Sequence, residues 1–304
     1  MKLITHFAAA SFLAFTTAIS AQTGVPTGHV STPEVNLAYW TLGAPHGNTP
    51  VIAVNGGPGL SHIYMVQNDM WQRVARTRQV VFYDQRGDGA STLLKPDAAQ
   101  TMAAQVADLD AVREHLHFPT VDLVGDSYGG VLVMAYTAAH PEHVHKLVLS
   151  DSAAPTWKDI VHLFPQVFPD KLEAEPKPAD PAHPTVAEQN EGLRRHFDMI
   201  FYSEEKRDAY MSNLKDLGLS PGVGAAVFAA NADFNLTSAL PNFKCPTLVI
   251  NGRYDMNVAP LTAWRMYKAI PGAKIVFFEK SGHLPSYEEP DKYLKVLTEF
   301  LDAK

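Results

Sequence analysis

Short runs of apolar and β-branched residues recur along the chain, with room for a helix between them. Six runs have the length and composition of buried strands: residues 51–54, 80–83, 121–124, 146–149, 247–250 and 274–278. Helical periodicity separates most of them, as in residues 97–115, where Met102, Val106, Leu109 and Val112 share one face. Strands that alternate with helices predict an α/β fold with a mainly parallel central sheet and helices on both faces.

The alternation stops between residues 153 and 240. This region has helical stretches at residues 196–201 and 204–217, and a polar, proline-rich piece at residues 173–185 that is incompatible with regular structure. Such an insertion between two strands predicts a helical cap, or lid, over the carboxyl edge of the sheet. The last segment, residues 290–303, has the periodicity of a closing helix. The predicted domains are a core of residues 22–152 and 241–304 and a helical cap of residues 153–240.

The first residues predict a secretory signal peptide, residues 1–21. Lys2 precedes an apolar stretch, residues 7–19, and small residues follow it. The stretch is shorter than the ~20 residues that a membrane span needs; a buried N-terminal helix is the alternative. We therefore expect a secreted or periplasmic protein. Because no later segment is long and apolar enough to cross a bilayer, we expect no membrane partner.

Charge and composition narrow the classes of partner and cofactor. The chain has 304 residues, of which 46% are hydrophobic, and a formal net charge of -7. Loss of residues 1–21 removes Lys2 and no acid, so the net charge becomes about -8. With no basic cluster, nucleic acid is not an expected partner. The lone Cys245 excludes an intramolecular disulfide, and the 13 histidines show no metal-ligand spacing. We expect neither a metal nor another cofactor.

A serine lies at the break between the third strand-like run and a helix-compatible run. Ser127 stands in the pattern G-x-S-x-G, between residues 121–124 and residues 131–139. In such a turn the serine has a strained backbone at the edge of the sheet, and Gly125 and Gly129 avoid collisions where strand and helix cross. The pattern predicts a nucleophile; a buried structural turn is the alternative.

A serine nucleophile needs a base, and the base needs an orienting acid. His283 follows residues 274–278 after a short loop with a glycine, and Asp255 follows residues 247–250. The alternatives are a loop histidine without a catalytic role and an aspartate that caps a helix or a turn. Asp151 is a rival acid, because it also ends a strand-like run. The order serine, acid, histidine is the one expected of an α/β-hydrolase sheet.

Donors for an oxyanion are predicted in the turn Asn-Gly-Gly-Pro-Gly, residues 55–59. Glycines let the backbone approach a ligand, so the amides of Gly57 and Tyr128 would face the negative charge that develops on a substrate. A tight connection without a ligand is the alternative.

Five short motifs resemble those of the proline iminopeptidase (prolyl aminopeptidase) group of α/β-hydrolases. They are NGGPGLSH (55–62), DQRGDGAS (84–91), GDSYGG (125–130), GRYD (252–255) and SGH (281–283). The resemblance spans residues 51–304 apart from the cap. It implies that Ser127, Asp255 and His283 form a catalytic triad, that Gly57 and Tyr128 form the oxyanion hole, and that no cofactor is used. The charges of residues 84–87 either brace the loop behind the site or form a surface ion pair.

The chain departs from that family in two places. Asn55 stands where the family usually has a histidine. The family also binds the free amino group of its substrate with cap glutamates, and the corresponding stretch, FAANADF (228–234), has no glutamate. Glu204, Glu205 and Asp233 are the candidate replacements; the alternative is that they are solvated surface acids.

The function expected from the sequence is that of a secreted serine hydrolase that acts through an acyl-enzyme. The resemblance implies an aminopeptidase that releases an N-terminal residue from a short peptide or small amide. The missing cap glutamates leave a carboxylesterase or lactonase, acting on a small neutral ester, as the alternative. A non-catalytic ligand-binding protein on a hydrolase scaffold is the alternative from another class; it would need no complete triad.

Overall fold

The computed structural model describes residues 25–174, 178–180, 185–214, 218–220 and 222–304. The predicted signal peptide, residues 1–21, lies outside the described residues, as does part of the proline-rich piece, residues 173–185.

The described strands form one sheet with antiparallel pairing at one edge. The strands are β1 (Gly28–Ser31), β2 (Val35–Leu42), β3 (Val51–Val54), β4 (Val80–Tyr83), β5 (Thr92–Leu93), β6 (Val121–Asp126), β7 (Val144–Ser150), β8 (Thr247–Gly252) and β9 (Lys274–Phe278). Their order is β1-β2-β4-β3-β6-β7-β8-β9, with β5 paired to β2. Strand β2 is antiparallel to β1, β4 and β5, and all pairs from β4 through β3 to β9 are parallel.

Helices in the described residues follow the strands and fill the stretch between β7 and β8. They are α1 (Met70–Val74), α2 (Met102–His115), α3 (Tyr128–Ala139), α4 (Phe164–Val167), α5 (Pro169–Glu173), α6 (Val186–Met199), α7 (Glu204–Asn213), α8 (Val223–Ala230), α9 (Pro260–Ala269), α10 (Pro285–Glu288) and α11 (Pro290–Asp302). None of the described helices is long and apolar enough to cross a membrane.

Helices cover both faces of the sheet, as predicted. Helices α1 and α11 pack on one face, where Trp71 and Leu297 join a cluster with strand residues such as Phe82. Helices α2, α3 and α9 pack on the other face, where Leu109 and Val131 join the second cluster. The side chains of one strand alternate between the two clusters, because successive residues of a strand point to opposite faces.

Each of the six predicted strands is present. Helix α2 begins at Met102 rather than at residue 97, because Thr101 is its N-cap and its hydroxyl accepts from the Ala104 amide at 3.3 Å. The closing helix is α11. The predicted helical stretches of the cap correspond to the end of α6 and to α7, which ends at Asn213. We call residues 153–240 the cap segment.

Candidate active site

The predicted nucleophile occupies a strained turn between β6 and α3. Ser127 has φ 54° and ψ -120°, a combination that costs a non-glycine residue about 1–3 kcal/mol. Hydrogen bonds hold it there: its amide donates to the Ser150 carbonyl at 3.1 Å, and its carbonyl accepts from the amides of Gly130 and Ala153 at 3.0 Å. The turn places the Ser127 side chain at the carboxyl edge of the sheet.

Two glycines permit this turn. A Cβ atom on Gly125 would lie 2.5 Å from a methyl carbon of Val133, and one on Gly129 would lie 2.2 Å from the carbonyl oxygen of Val54. Helix α3 can therefore cross β6 and β3 only if both positions lack a side chain.

The structure brings His283 and Asp255 together. The Nδ1 atom of His283 lies 2.7 Å from Oδ2 of Asp255, and both side chains are buried. The other carboxylate oxygen, Oδ1, accepts from the amides of Asn257 at 2.9 Å and Val258 at 2.8 Å. Burial alone would lower the pKa of His283. The charge of Asp255 and the hydrogen bond to it outweigh burial and raise the pKa from its usual 6.5 to about 9. The carboxylate thus fixes the proton on Nδ1 and leaves Nε2 as the basic atom.

Asp151, the rival acid, does not contact the imidazole. Its Oδ1 atom accepts from the Gly252 amide at 2.8 Å and from the Asn251 side chain at 2.9 Å. Burial, followed by the charge of Asp255, raises the pKa of Asp151 well above its usual value. Asp151 therefore lies beside the pair and is not its orienting carboxylate.

Ser127 and His283 line the same cavity, of about 150 Å³. Among the described contacts, the Nε2 atom of His283 accepts from the side-chain amide of Asn257 at 3.1 Å, and the Ser127 hydroxyl makes no hydrogen bond to it. Hydrogen bonds between catalytic groups often tighten only when substrate is bound. His283 therefore lines the cavity with Nε2 free of Asp255, and this nitrogen can act as a base only in the neutral imidazole.

The predicted oxyanion loop lies against the serine. A Cβ atom on Gly56 would be 2.7 Å from the Cβ atom of Ser127, and Gly57 lines the cavity. The Gly56 amide donates to the hydroxyl of Tyr64 at 2.5 Å, which fixes the loop. Tyr128 is the first residue of α3, where a backbone N–H has no partner within the helix. The geometry leaves both predicted donors beside Ser127.

Buried polar side chains brace this loop from behind. The Asn55 side chain donates to the carbonyls of Gly56 at 2.9 Å and Leu60 at 2.6 Å, so it closes the loop in place of the family's histidine. Arg86 forms a buried, bidentate ion pair with Asp108, at 2.7 and 2.9 Å. The charges of residues 84–87 are therefore a buried brace and not a surface pair.

The cap segment supplies much of the cavity wall. Apolar side chains dominate the lining, and those from the cap segment are Leu193, Phe197, Ile200 and Leu219. His196 also lines the cavity, and burial, with a smaller effect of His283, lowers its pKa to about 4. The cap segment thus presents an uncharged surface to the substrate.

The structure does not bring the three predicted cap acids to the cavity. Glu204 and Glu205 are exposed in the first turn of α7, where carboxylates stabilise the positive end of the helix dipole. Asp233 is also exposed, and none of the three lines the cavity. Their positions correct the expectation that they bind substrate.

The cap segment is hydrogen-bonded to the loop that carries His283. The buried carboxylate of Glu288 accepts from the amides of Tyr202 and Ser203 at 2.9 Å, and from the amide of Gly282 at 2.6 Å. The His283 amide donates to the carbonyl of Ile200 at 2.8 Å. These hydrogen bonds therefore hold the residues after α6 against the loop before α10.

Sequence comparison agrees with this geometry. The family profile for the alpha/beta hydrolase fold matches residues 49–290. The chain belongs to the α/β-hydrolase family.

Curated relatives of this α/β-hydrolase include proline iminopeptidases. It is 29% identical to that of Clostridioides difficile over 270 residues, which cover 84% of this chain and 91% of the relative. It is 28% identical to that of Saccharolobus solfataricus over 295 residues, which cover 88% and 89%. The chain is a proline iminopeptidase-like α/β-hydrolase, as the five motifs predicted.

Solved structures with the same fold carry other activities. An esterase from Exiguobacterium antarcticum superposes with a TM-score of 0.69 at 20% identity, covering 92% of this chain and all 100% of that one. An enol-lactonase from Burkholderia xenovorans superposes with a TM-score of 0.68 at 22% identity, covering 88% and 97%. These likenesses confirm the fold class of the α/β-hydrolase.

Sequence reasoning missed two polar residues of this α/β-hydrolase site. Asp126 and Asn257 line the cavity, and each is a close neighbour in sequence of a predicted site residue. The signal for Asp126 is an acid at the end of a strand whose other residues near the serine, Leu123, Val124 and Gly125, are apolar or glycine, because a buried charge there is costly. Asn257 gave no comparable signal.

Two groups in the described residues have the composition of a metal site. One is Asp151, Asp255 and His283, and the other is Asp110, His140 and His143. The first group is occupied by the hydrogen bonds above. In the second, Arg113 is paired with Asp110 at 2.7 Å, and its charge opposes a cation. That the α/β-hydrolase needs no metal stays a prediction.

Proposed function

We propose that this α/β-hydrolase is a serine hydrolase that cleaves a small acyl substrate through an acyl-enzyme. The observation that carries the proposal is the buried His283–Asp255 pair, which faces the same cavity as Ser127. In this mechanism the Ser127 hydroxyl attacks the substrate carbonyl while Nε2 of His283 takes its proton. His283 then returns the proton to the leaving group, and water releases the acyl group by the same route.

Asp255 stabilises the imidazolium that forms during each proton transfer, because backbone amides hold its carboxylate against Nδ1 of His283. The amides of Gly57 and Tyr128 would bind the oxyanion of the tetrahedral intermediate. Such a donor is worth about 3–4 kcal/mol in the transition state.

For the substrate we propose a peptide or amide with a free N-terminal residue, processed as by an aminopeptidase. The proline iminopeptidase relatives support this choice, since they match over most of the chain. A small neutral ester or lactone is the second candidate. The observation in its favour is the apolar cavity wall, to which the exposed Glu204 and Glu205 contribute nothing.

Labelling with a fluorophosphonate probe tests the nucleophile. We expect wild-type protein to be labelled and Ser127→Ala to stay unlabelled. A wild-type protein that resists the probe would instead support a non-catalytic binding role, and labelled Ser127→Ala would place the nucleophile elsewhere.

Comparison of three substrates tests the substrate class. We expect faster turnover of prolyl-naphthylamide than of its N-acetylated form, with short acyl esters as the third substrate. If blocking the amine leaves kcat/KM unchanged, the aminopeptidase proposal falls and the esterase alternative stands.

A further inference from the structure

A carboxylate lies in the cavity directly beside the nucleophile. Asp126 is the last residue of β6 and precedes Ser127 in the chain. Its side chain lines the cavity and is 4% exposed. It lies on the same face of the sheet as Val124, because side chains two residues apart on a strand point the same way. No role for this carboxylate follows from the triad.

The Asp126 carboxylate forms no ion pair within the described residues. It accepts a hydrogen bond from the hydroxyl of Tyr64 at 2.5 Å. The described lining of the cavity holds neither lysine nor arginine, His196 is neutral, and the nearby charge of His283 only partly offsets the effect of burial on the pKa of Asp126. One neutral donor does not offset the cost of taking a carboxylate out of water. Burial accordingly raises the pKa of Asp126 to about 6, so that it is ionised at neutral pH.

The position of this carboxylate suits a substrate that has a cationic group on the carbon next to its reacting carbonyl. The carbonyl carbon of an acyl group must reach the Ser127 hydroxyl, and a substituent on the neighbouring carbon lies only one bond further away. Because Asp126 lines the same small cavity, a cationic substituent at that carbon would lie near its carboxylate. Asp126 carries the sole acidic side chain of the described lining, and the rest of the wall is largely apolar.

We propose that Asp126 binds the protonated free amino group of an α-aminoacyl substrate and so selects for it. This inference rests on the proposed hydrolase function and names the residue that distinguishes an N-terminal residue from a neutral acyl group. Ammonium binding would supply the missing counter-charge. Tyr64 acts as a positioning residue, since it holds the carboxylate with its hydroxyl and the Gly56 amide with its oxygen.

Equilibrium binding tests the inference without catalysis. In the Ser127→Ala background, prolinamide and N-acetylprolinamide are titrated by calorimetry, with and without Asp126→Asn. We expect prolinamide to bind more tightly than the blocked amide, and Asp126→Asn to weaken prolinamide binding about tenfold or more with little effect on the blocked amide. Equal weakening of both ligands, or of neither, would overturn the inference.

Turnover supplies the second readout and a matched control. Asp126→Asn should lower the ratio of kcat/KM for prolyl-naphthylamide to that for a short acyl ester about tenfold or more. Glu204→Gln is the matched control, because it removes an exposed carboxylate that does not line the cavity, so the ratio should persist. If Glu204→Gln lowers the ratio as much as Asp126→Asn, the effect does not depend on a carboxylate in the cavity and the inference is wrong. Fluorophosphonate labelling of Asp126→Asn shows separately whether the hydrolase machinery is intact.

Discussion

At the scale of single residues, the site is a set of buried charges whose pKa values differ from their usual ones. His283 shares its surroundings with Asp255, Asp126 and Asp151, and each of these carboxyls favours the imidazolium. Burial raises the pKa of Asp126 and of Asp151, whereas the Asp255 carboxylate accepts hydrogen bonds from two backbone amides and contacts the imidazole. One carboxylate therefore orients the base, and a second is left to face the substrate.

The pKa of His283 predicts the pH dependence of the reaction. The base must be neutral, so kcat/KM for a neutral ester should rise with pH and level off above about 9. Asp255→Asn removes the largest influence that raises this pKa, so the rise should move to lower pH, with kcat reduced by roughly a thousandfold or more.

Asp151→Asn is the matched control for this measurement. Asp151 does not contact the imidazole, so the amide oxygen of asparagine can replace its carboxylate oxygen and still accept from the Gly252 amide, and we expect less than about a tenfold loss. A pH profile that Asp255→Asn leaves in place would contradict the assignment of the base.

Burial of Asp126 predicts that the stability of the protein depends on pH. The folded pKa of Asp126, about 6, is above the usual 3.8, so the folded chain binds this proton more tightly than the unfolded chain does. The resulting stabilisation is complete below the unfolded pKa of 3.8, and it is lost as the pH rises through the folded pKa of about 6. The free energy of unfolding of Asp126→Asn, measured relative to wild type, should therefore increase by about 1–3 kcal/mol between acidic and neutral pH. Urea unfolding at about pH 5 and about pH 7.5 measures the difference. Equal destabilisation at both pH values would contradict it.

At the scale of elements, the crossing of α3 over β3 depends on one missing side chain. Gly129→Ala would place a Cβ atom 2.2 Å from the backbone oxygen of Val54, which cannot rotate away. We expect a loss of about 3 kcal/mol in the free energy of unfolding, together with reduced activity, because the loop after β3 would be displaced.

Gly192→Ala is the control for that substitution. Gly192 lies inside α6 with no atom within 4 Å of the added carbon, so alanine should stabilise the protein by about 0.5–1 kcal/mol. Thermal unfolding of both variants checks the pair. Similar effects of the two substitutions would mean that contact with Val54 is not the cause.

The parallel strands could be predicted because each contains a short, mainly apolar run that is visible in the local sequence without knowledge of its partner strand. Strand β2 was missed, since Asn36 and Thr41 interrupt its apolar run and its antiparallel pairing with β4 depends on residues far away in the sequence. Helix α1 has only five residues, which are too few to show a helical period of apolar positions in the sequence.

The candidate site was predictable where function follows from the end of a strand, as for Ser127, Asp255 and His283. It was not predictable where function depends on the direction of a side chain. Whether Asp126 points into a cavity, or Glu204 into solvent, is decided by packing between strands and cap that local sequence does not encode.

At the scale of the whole molecule, the two ends of the parallel strands carry different groups. The cavity lies at the carboxyl ends of the strands. At the amino ends, buried charged side chains link the sheet to the last helix, α11. Arg78, 1% exposed, pairs with Asp122 at 3.2 Å and with Asp302. Lys146 donates to the Leu301 carbonyl at 2.8 Å. The end of α11 is thereby fixed to the start of the sheet, far from the reacting groups.

Removal of one buried charge at this edge should affect stability alone. Asp122→Ala leaves the Arg78 guanidinium without its buried partner, and we expect a loss of about 3–5 kcal/mol. Activity per folded molecule should be unchanged. Glu279→Ala breaks the exposed pair with Arg253 and should barely shift Tm. Comparable Tm shifts for both variants would contradict the difference in burial.

The hydrogen bonds from Glu288 and Ile200 also limit how this scaffold can diversify. Exchange of the whole cap for one from another hydrolase would remove Ile200, Tyr202 and Ser203, and with them the support of His283. A functional chimera must therefore keep residues 200–203 from the recipient. We therefore expect new specificity to arise more readily from point changes in the cavity lining, such as those at Leu193 or Leu219, than from exchange of the whole cap.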